Sequence, residues 1–215
     1  AAKYPAKLEE LKALFMKEAA ANQVLPLRGP TMGDPALPSL TGKRTAFTYY
    51  PGTVGVPEAE APRMMNRSWG MRATVDIPAS GTARGVVATI GGTAAGWSLY
   101  FDDQGKPKFT YRLFDVKTVD LAGAAPLSPG KHTLEVAFDY DGGGYAKGGN
   151  LRFLVDGQPA GQDRLPTSPP AFFSISETFD VGVDTGSPAG KYPANAPVGY
   201  PFEGGKIEKV DIDLR

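Results

Sequence analysis

From Arg44 onward, apolar and polar residues alternate along this chain in a succession of short segments. Successive side chains of a β-strand point to opposite faces, so a period of two predicts a strand with one buried and one solvent-facing side. The clearest example is 134–140, where Leu, Val, Phe and Tyr alternate with Glu, Ala and Asp. The same pattern predicts strands at 71–77, 86–90, 97–101, 109–113, 134–140, 151–155, 173–175 and 210–214.

Glycine and proline separate these segments, and the chain contains 27 Gly and 20 Pro. Asp156-Gly157, directly after the alternating run 151–155, is a strong signal for a tight β-hairpin. No second helical pattern interrupts the strands, so parallel βαβ units are not expected. An apolar face on each strand is what the packing of one sheet on another requires. Residues 43–215 are therefore predicted to form an all-β, antiparallel two-sheet β-sandwich.

The first 42 residues follow a different pattern. Strong helix formers run from about residue 5 to residue 21, and Pro5 suits a first helical turn. A Pro- and Gly-rich strap over 22–42 follows, which we expect to be ordered because Val24, Leu25 and Leu27 are apolar enough to dock on a surface. One amphipathic helix is predicted, whose apolar stripe is expected to lie against another surface and comprises Leu8, Leu11, Leu14, Phe15 and Ala19.

Composition excludes several functions. Lys plus Arg and Asp plus Glu both number 23, so the basic excess that would meet nucleic-acid phosphates is missing. The absence of cysteine excludes a thiol nucleophile, a disulfide and a Cys-ligated zinc. No apolar run approaches the ~20 residues of a membrane span. Neither a nucleic acid nor a membrane is an expected partner.

Two isolated features have structural interpretations. His132, the only histidine, has no partner acid or nucleophile nearby in sequence, which favours a structural or surface role at a strand start. The glycine-rich segment 139–150 lacks both the spacing of a phosphate-binding loop and the acidic ligand pattern of an EF-hand. It is predicted to be a wide hairpin loop whose glycines adopt positive φ, with weak calcium binding as the alternative.

The segment 177–188 is the most polar stretch of the chain and carries Glu177, Asp180 and Asp184. Such acids can bond the backbone of their own loop, where we also expect neighbouring basic residues, or can form an interface. Asp180 and Asp184 could alternatively hold calcium, and paired carboxylates could act in catalysis. All three interpretations stay open, and the first is favoured, with an ordered loop expected beside the strap.

The aromatic residues raise the question of a sugar platform. Trp97 shares its strand face with Leu99, so we predict that it lies in the core, as does Phe138. Tyr100, one step out of phase, and Tyr145 are predicted to be exposed and are the aromatic candidates for a ligand or interface site.

Several stretches carry a resemblance to known families. Gly-Trp-Ser-Leu-Tyr at 96–100, Gly-Lys-His-Thr-Leu at 130–134 and Leu-Val-Asp-Gly at 154–157 resemble laminin-G and concanavalin A-like jelly-roll sandwiches. Further stretches are similar to the C-terminal region of bacterial arylsulfatases, namely 1–8, 24–27, 138–144, 177–182, 184–188, 202–204 and 207–214. Taken together, this resemblance covers essentially the whole chain.

The arylsulfatase resemblance implies a parent enzyme that hydrolyses sulfate esters with a formylglycine beside a divalent metal, usually calcium. That formylglycine is made from a Cys/Ser-x-Pro-x-Arg motif, and the only comparable stretch here, Ser168-Pro169-Pro170, has Phe172 in place of Arg. No catalytic residue carries over, so this chain alone is expected to be inert and to need no cofactor. On this resemblance, residues 1–42 end a missing catalytic region of a bacterial protein, either cytoplasmic or periplasmic.

Three functions follow as hypotheses. In the first, the sandwich docks on and supports the sulfatase catalytic domain of the same polypeptide. In the second, it is a carbohydrate-binding module for sulfated glycans. The third, an enzyme in its own right, is the least favoured because the sequence offers no catalytic constellation.

Overall fold

The computed structural model describes residues 3–25, 27 and 40–215. The chain divides into two compact units, Ala1–Pro38 and Ser39–Arg215. No helix among the described residues is long and apolar enough to cross a membrane.

The predicted N-terminal helix is present as α1, Pro5–Ala21, with Pro5 in its first turn. Surface ion pairs one turn apart line it, with Lys7 Nζ lying 2.6 Å from Glu10 Oε1. Of its predicted apolar stripe, Ala19 is buried, whereas Leu14 and Phe15 are 50% and 49% exposed. Val24, Leu25 and Leu27, the apolar residues at the start of the predicted strap, are 38–56% exposed. The rest of the predicted strap, at 26 and 28–39, falls outside the described residues.

The second unit is an antiparallel sandwich of two six-stranded sheets. The strands are β1 Ala46–Tyr49, β2 Val56–Pro57, β3 Trp69–Ile77, β4 Gly85–Gly91, β5 Ala95–Phe101, β6 Pro107–Leu113, β7 Lys117–Ala122, β8 Gly130–Tyr140, β9 Gly149–Val155, β10 Gln158–Leu165, β11 Thr178–Val181 and β12 Lys206–Leu214. The order in the first sheet is β1-β12-β3-β8-β9-β10, and in the second β2-β11-β4-β5-β6-β7. The predicted fold class, one helix followed by a two-sheet β-sandwich, is confirmed.

The strands form where the alternation predicts them, with one exception. Residues 173–175 are not a strand, and Ile175 is 86% exposed. The backbone N–H groups of Phe173 and Ser174 donate instead to the half-buried carboxylate of Glu58, at 2.9 and 3.0 Å. This side-chain acceptor takes the place of a neighbouring strand, so the segment closes as a turn.

The predicted hairpin at Asp156-Gly157 joins β9 to β10, and both residues have positive φ, 50° and 74°. Two consecutive residues with positive φ match the twist of the flanking strands, which explains the preference for Asp-Gly here.

Large aromatic side chains fill the space between the sheets. Trp69 of the first sheet stacks on Trp97 of the second, with ring centroids 6.2 Å apart. Phe138 packs against Trp69 at 6.0 Å. Trp97 and Phe138 are 0% and 2% exposed, which confirms the prediction that both lie in the core.

Candidate functional site

The acidic segment begins on a strand of the second sheet. Asp180 lies in β11 and is 1% exposed. Its carboxylate accepts hydrogen bonds from the backbone N–H groups of Gly55 at 2.5 Å and Thr185 at 3.2 Å, and from the hydroxyls of Thr178 at 3.0 Å and Thr185 at 2.8 Å. Four donors thus surround one buried carboxylate, which satisfies it without a cation.

Asp184 follows β11 and is 2% exposed. Oδ2 accepts hydrogen bonds from the Ala189 N–H at 3.0 Å and from the Tyr192 hydroxyl at 2.6 Å, and that hydroxyl lies 2.9 Å from Ser98 Oγ. Burial raises the pKa of Asp184, although the hydrogen bonds act in the opposite direction. Burial also raises the pKa of Tyr192, with a further contribution from Asp184.

Glu177 holds the same loop closed, because its carboxylate accepts the hydroxyl of Ser187 at 2.7 Å and the Ser187 N–H at 3.2 Å. The partners of Glu177, Asp180 and Asp184 are backbone N–H groups and hydroxyls. The basic partners that we expected are not found among the hydrogen bonds and ion pairs of the described residues. Among all the described residues, no group of three or more His, Cys, Asp or Glu side chains is arranged so that it could hold a metal ion. The expected position of this loop beside the strap involves 28–39, which lie outside the described residues.

Tyr100 is not the exposed platform that its strand phase predicted, because only 2% of it is exposed. It points outward from β5, but the chain after β11 folds back over this face. Tyr192 packs edge-on against Tyr100, with ring centroids 5.2 Å apart, and the Tyr100 hydroxyl lies 3.2 Å from the carbonyl oxygen of Lys191. With Val86 and Tyr200 it forms a second small core on the outside of the sheet.

Tyr145 is 75% exposed, as predicted, in the loop between β8 and β9. Gly142, Gly143 and Gly144 in this loop have positive φ, which confirms the wide-hairpin interpretation. Asp141, the acid within the loop, is engaged by both guanidinium nitrogens of Arg164, at 2.8 and 2.5 Å.

His132 has an acid partner that the sequence did not reveal. Nδ1 lies 2.7 Å from Asp156 Oδ2, and Nε2 lies 2.8 Å from the carbonyl oxygen of Ser128. Both nitrogens face acceptors, an arrangement that suits the doubly protonated ring and leaves no free nitrogen to act as a general base. The structural role predicted for His132 agrees with this geometry.

The outer face of the first sheet carries a groove of about 510 Å³. Its floor is set by the register of the central strands, where Gly70 of β3 lies opposite Ala137 of β8. This cross-strand row continues to Asp213 of β12 on one side and to Arg152 of β9 on the other. Two small residues at the centre of a row of longer side chains leave the depression, which we call the groove.

Charged side chains of both signs surround the groove. Arg72 of β3 pairs with Glu135 at 3.1 Å, and Arg152 pairs through Nη2 with Asp139 at 2.7 Å. Arg215, whose N–H donates to the carbonyl oxygen of Ser68 at 2.8 Å, also lines the groove.

The sequence alone does not identify the groove residues as a site, because they are far apart in the chain and become neighbours only through the strand order. The only signal in the sequence is the small or charged residue at outward positions of predicted strands, such as Ala137 and Arg152. That signal is common to any solvent-facing strand.

The strand order and pairing define the class of this protein, an antiparallel two-sheet β-sandwich preceded by a helix. No family model matches the sequence, and no curated protein matches it significantly. The arylsulfatase resemblance therefore rests on the sequence motifs alone.

Several solved structures are similar to this chain. The CBM40 of the Ruminococcus gnavus IT-sialidase aligns with a TM-score of 0.48 and 17% identity, over 80% of this chain and 92% of that one. Domains LG4-5 of the mouse laminin alpha1 chain align with a TM-score of 0.46 and 12% identity, over 88% of this chain and 48% of that one. A heptameric SAP-like pentraxin from Limulus polyphemus aligns with a TM-score of 0.39 and 13% identity, over 80% of this chain and 75% of that one. Similarity at this level concerns the fold alone.

Proposed function

We propose that the sandwich unit is a non-catalytic carbohydrate-binding module and that the groove on its first sheet binds the sugar. The observation that carries this proposal is the groove itself, whose volume of about 510 Å³ lies within the ~300–1,000 Å³ usual for small-ligand sites. Guanidinium donors and carboxylate acceptors at its edge match the mixed donor and acceptor character of sugar hydroxyls. Sulfated glycans, the ligand class implied by the arylsulfatase resemblance, are the first to be tested.

Recognition in this groove relies on hydrogen bonds and charge more than on ring stacking. Tyr100 is buried under another segment, and Tyr145 is not among the residues that line the groove. We therefore expect modest affinity that weakens as ionic strength rises.

The proposal is tested by titrating the protein with neutral and sulfated oligosaccharides while backbone amide signals are followed by NMR. Signals of β3, β8 and β9 should shift. Ala137→Leu, which fills the groove floor, should abolish binding. Ala122→Leu is the matched control, because Ala122 is a partly exposed alanine at the outward side of β7 on the other sheet, and it should bind as the unmodified protein does.

Thermal unfolding of both variants shows whether the fold is intact. If saturating oligosaccharide shifts no signal of the unmodified protein, or if a folded Ala137→Leu variant binds normally, the proposed site is wrong.

A second candidate function is support of a sulfatase catalytic domain in the same polypeptide, as the sequence resemblance implies. The observation that favours it is the apolar surface of α1, where Leu11, Leu14 and Phe15 are each about half exposed. Apolar side chains clustered at a surface commonly mark a protein contact. In this proposal the calcium and formylglycine chemistry belongs to the other domain.

This second function is tested in a polypeptide that joins an arylsulfatase catalytic region to this chain. Leu14→Asp with Phe15→Asp should lower its thermal stability and sulfatase activity. Lys12→Asp with Lys17→Asp, at exposed polar positions of the same helix, should not. Equal behaviour of the two double variants would argue against a supporting contact through α1.

A further inference from the structure

We propose that Arg215 is the anion-binding residue of the groove and that the ligand is an acidic sugar bearing a sulfate ester or a carboxylate. This inference rests on the proposed carbohydrate-binding function and assigns a ligand class to the same site. It starts from the unequal pairing of the arginines that line the groove.

Two of these arginines already have anionic partners, since Arg72 pairs with Glu135 and Arg152 with Asp139. In the described part of the chain, the guanidinium of Arg215 makes no hydrogen bond or ion pair. An unpaired guanidinium has five donors available, and its planar fork can bind two oxygens of a carboxylate or sulfate at once.

The groove floor gives this side chain its place. A Cβ added at Gly70 would lie 3.3 Å from Nη2 of Arg215, so the guanidinium rests above the spot that a larger residue would occupy. Gly70 is not among the glycines with positive φ, so the backbone there does not require glycine. Its absent side chain instead leaves room for Arg215 over the floor.

The neighbouring Asp213 shapes the ligand further. It lies opposite Gly70 in the register, and its carboxylate, like the guanidinium of Arg215, makes no hydrogen bond or ion pair within the described residues. A carboxylate accepts hydrogen bonds from sugar hydroxyls but repels a second anion. One acidic group at Arg215 and a hydroxyl at Asp213 therefore fit together, whereas a densely charged polyanion does not.

The test measures dissociation constants by isothermal titration calorimetry for three disaccharides of the same backbone. One is neutral, one carries a single sulfate ester and one a uronate carboxylate. Arg215→Gln should weaken binding of the acidic ligand by about tenfold to a hundredfold, the scale of one lost charge-assisted hydrogen bond, and leave the neutral one unchanged. The arm with the larger loss identifies the anion as sulfate or carboxylate.

Arg84→Gln is the matched control, because Arg84 is a similarly exposed arginine that pairs with Glu203 and does not line the groove. It should change none of the three constants. If the unmodified protein binds no disaccharide, the proposed function fails. If it binds them and Arg215→Gln affects the neutral and acidic ligands equally, only the assignment of Arg215 is overturned.

Discussion

Tyr100 illustrates what strand periodicity determines for a single residue. The alternation correctly assigns it to the outward side of β5, opposite to Trp97. It does not tell whether that side is covered, and the covering residues Tyr192 and Tyr200 lie about 90–100 positions later in the chain. Exposure of an outward residue therefore depends on long-range packing that a local pattern does not contain.

The buried position of Tyr100 predicts a large energetic effect. Tyr100→Ala should lower the free energy of unfolding by about 3–5 kcal/mol, the usual cost of emptying a large aromatic site in a core. Tyr100→Phe keeps the ring and loses only the hydroxyl contacts, so it should lower the free energy of unfolding by about 0.5–1.5 kcal/mol. Chemical denaturation measures both, with exposed Tyr145→Ala as a control within about 0.5 kcal/mol of the unmodified protein. A cost for Tyr100→Ala as small as that of the control would mean that the covering segment does not pack on Tyr100.

His132 predicts a dependence of stability on pH. Partial burial lowers its pKa, but the hydrogen bonds to Asp156 and Ser128 outweigh this and raise the pKa of His132 above its ordinary value. Similarly, the hydrogen bonds from His132 and Thr133 outweigh burial and lower the pKa of Asp156. The His132 contribution is fully present below its unfolded pKa of about 6.5 and is lost as pH rises through the raised value. The Asp156 contribution is present above about pH 3.9 and is lost as pH falls through the lowered value.

The pair should therefore stabilise most between about pH 4 and 6.5. Its contribution should stay below about 1 kcal/mol, because Asp156 is half exposed to solvent. Urea denaturation of the unmodified protein and of His132→Gln at pH 5.5 and 8.5 measures it. The difference between the two proteins should shrink at pH 8.5, and a difference that grows there would contradict the ion pair.

At the scale of elements, β10 and β11 are two of the strands that the sequence did not predict. β10 contains Pro159 and a register irregularity between Pro159 and Gly161, and it lies at the edge of the first sheet. Edge strands tolerate proline and bulges and do not need an apolar face, so their sequences lack the signal. β11 was missed for another reason, since Asp180 is a buried acid whose partners come from three separate positions.

The acidic segment around β11 predicts a hydrogen-bonded element in place of a calcium site. Asp180→Ala removes the acceptor of two backbone N–H groups and should destabilise the protein by about 2–6 kcal/mol, at about 1–3 kcal/mol for each unsatisfied donor. Calcium or a chelator should leave the melting temperature unchanged, because only a ligand that binds the folded state raises it. A melting temperature raised by calcium in the unmodified protein and unaffected by it in Asp180→Ala would establish the metal site instead.

At the scale of the whole molecule, the sandwich could be predicted because many of its strands carry their own one-sided pattern. The groove could not, because it depends on the order of strands across the sheet. Gly70, Ala137 and Arg215 become neighbours only when β12, β3 and β8 pair side by side. Many strand orders satisfy the same alternation, so the pattern predicts a buried face without predicting which outward residues meet.

The distribution of the core predicts that the sandwich folds without the first unit. The large core cluster contains buried residues from Phe47 to Leu214, and the small one from Val86 to Tyr200, while α1 contributes only Ala19 to the buried residues. Removal of residues 1–38 should therefore leave cooperative unfolding in urea intact, with the free energy of unfolding changed by less than about 0.5 kcal/mol. Removal of 206–215 is the opposite control, because β12 lies between β1 and β3 and its loss exposes both, so that variant should not fold. If the chain shortened to 39–215 unfolds without cooperativity, the sandwich needs the helical unit for its stability, and the two must then be treated as one folding unit.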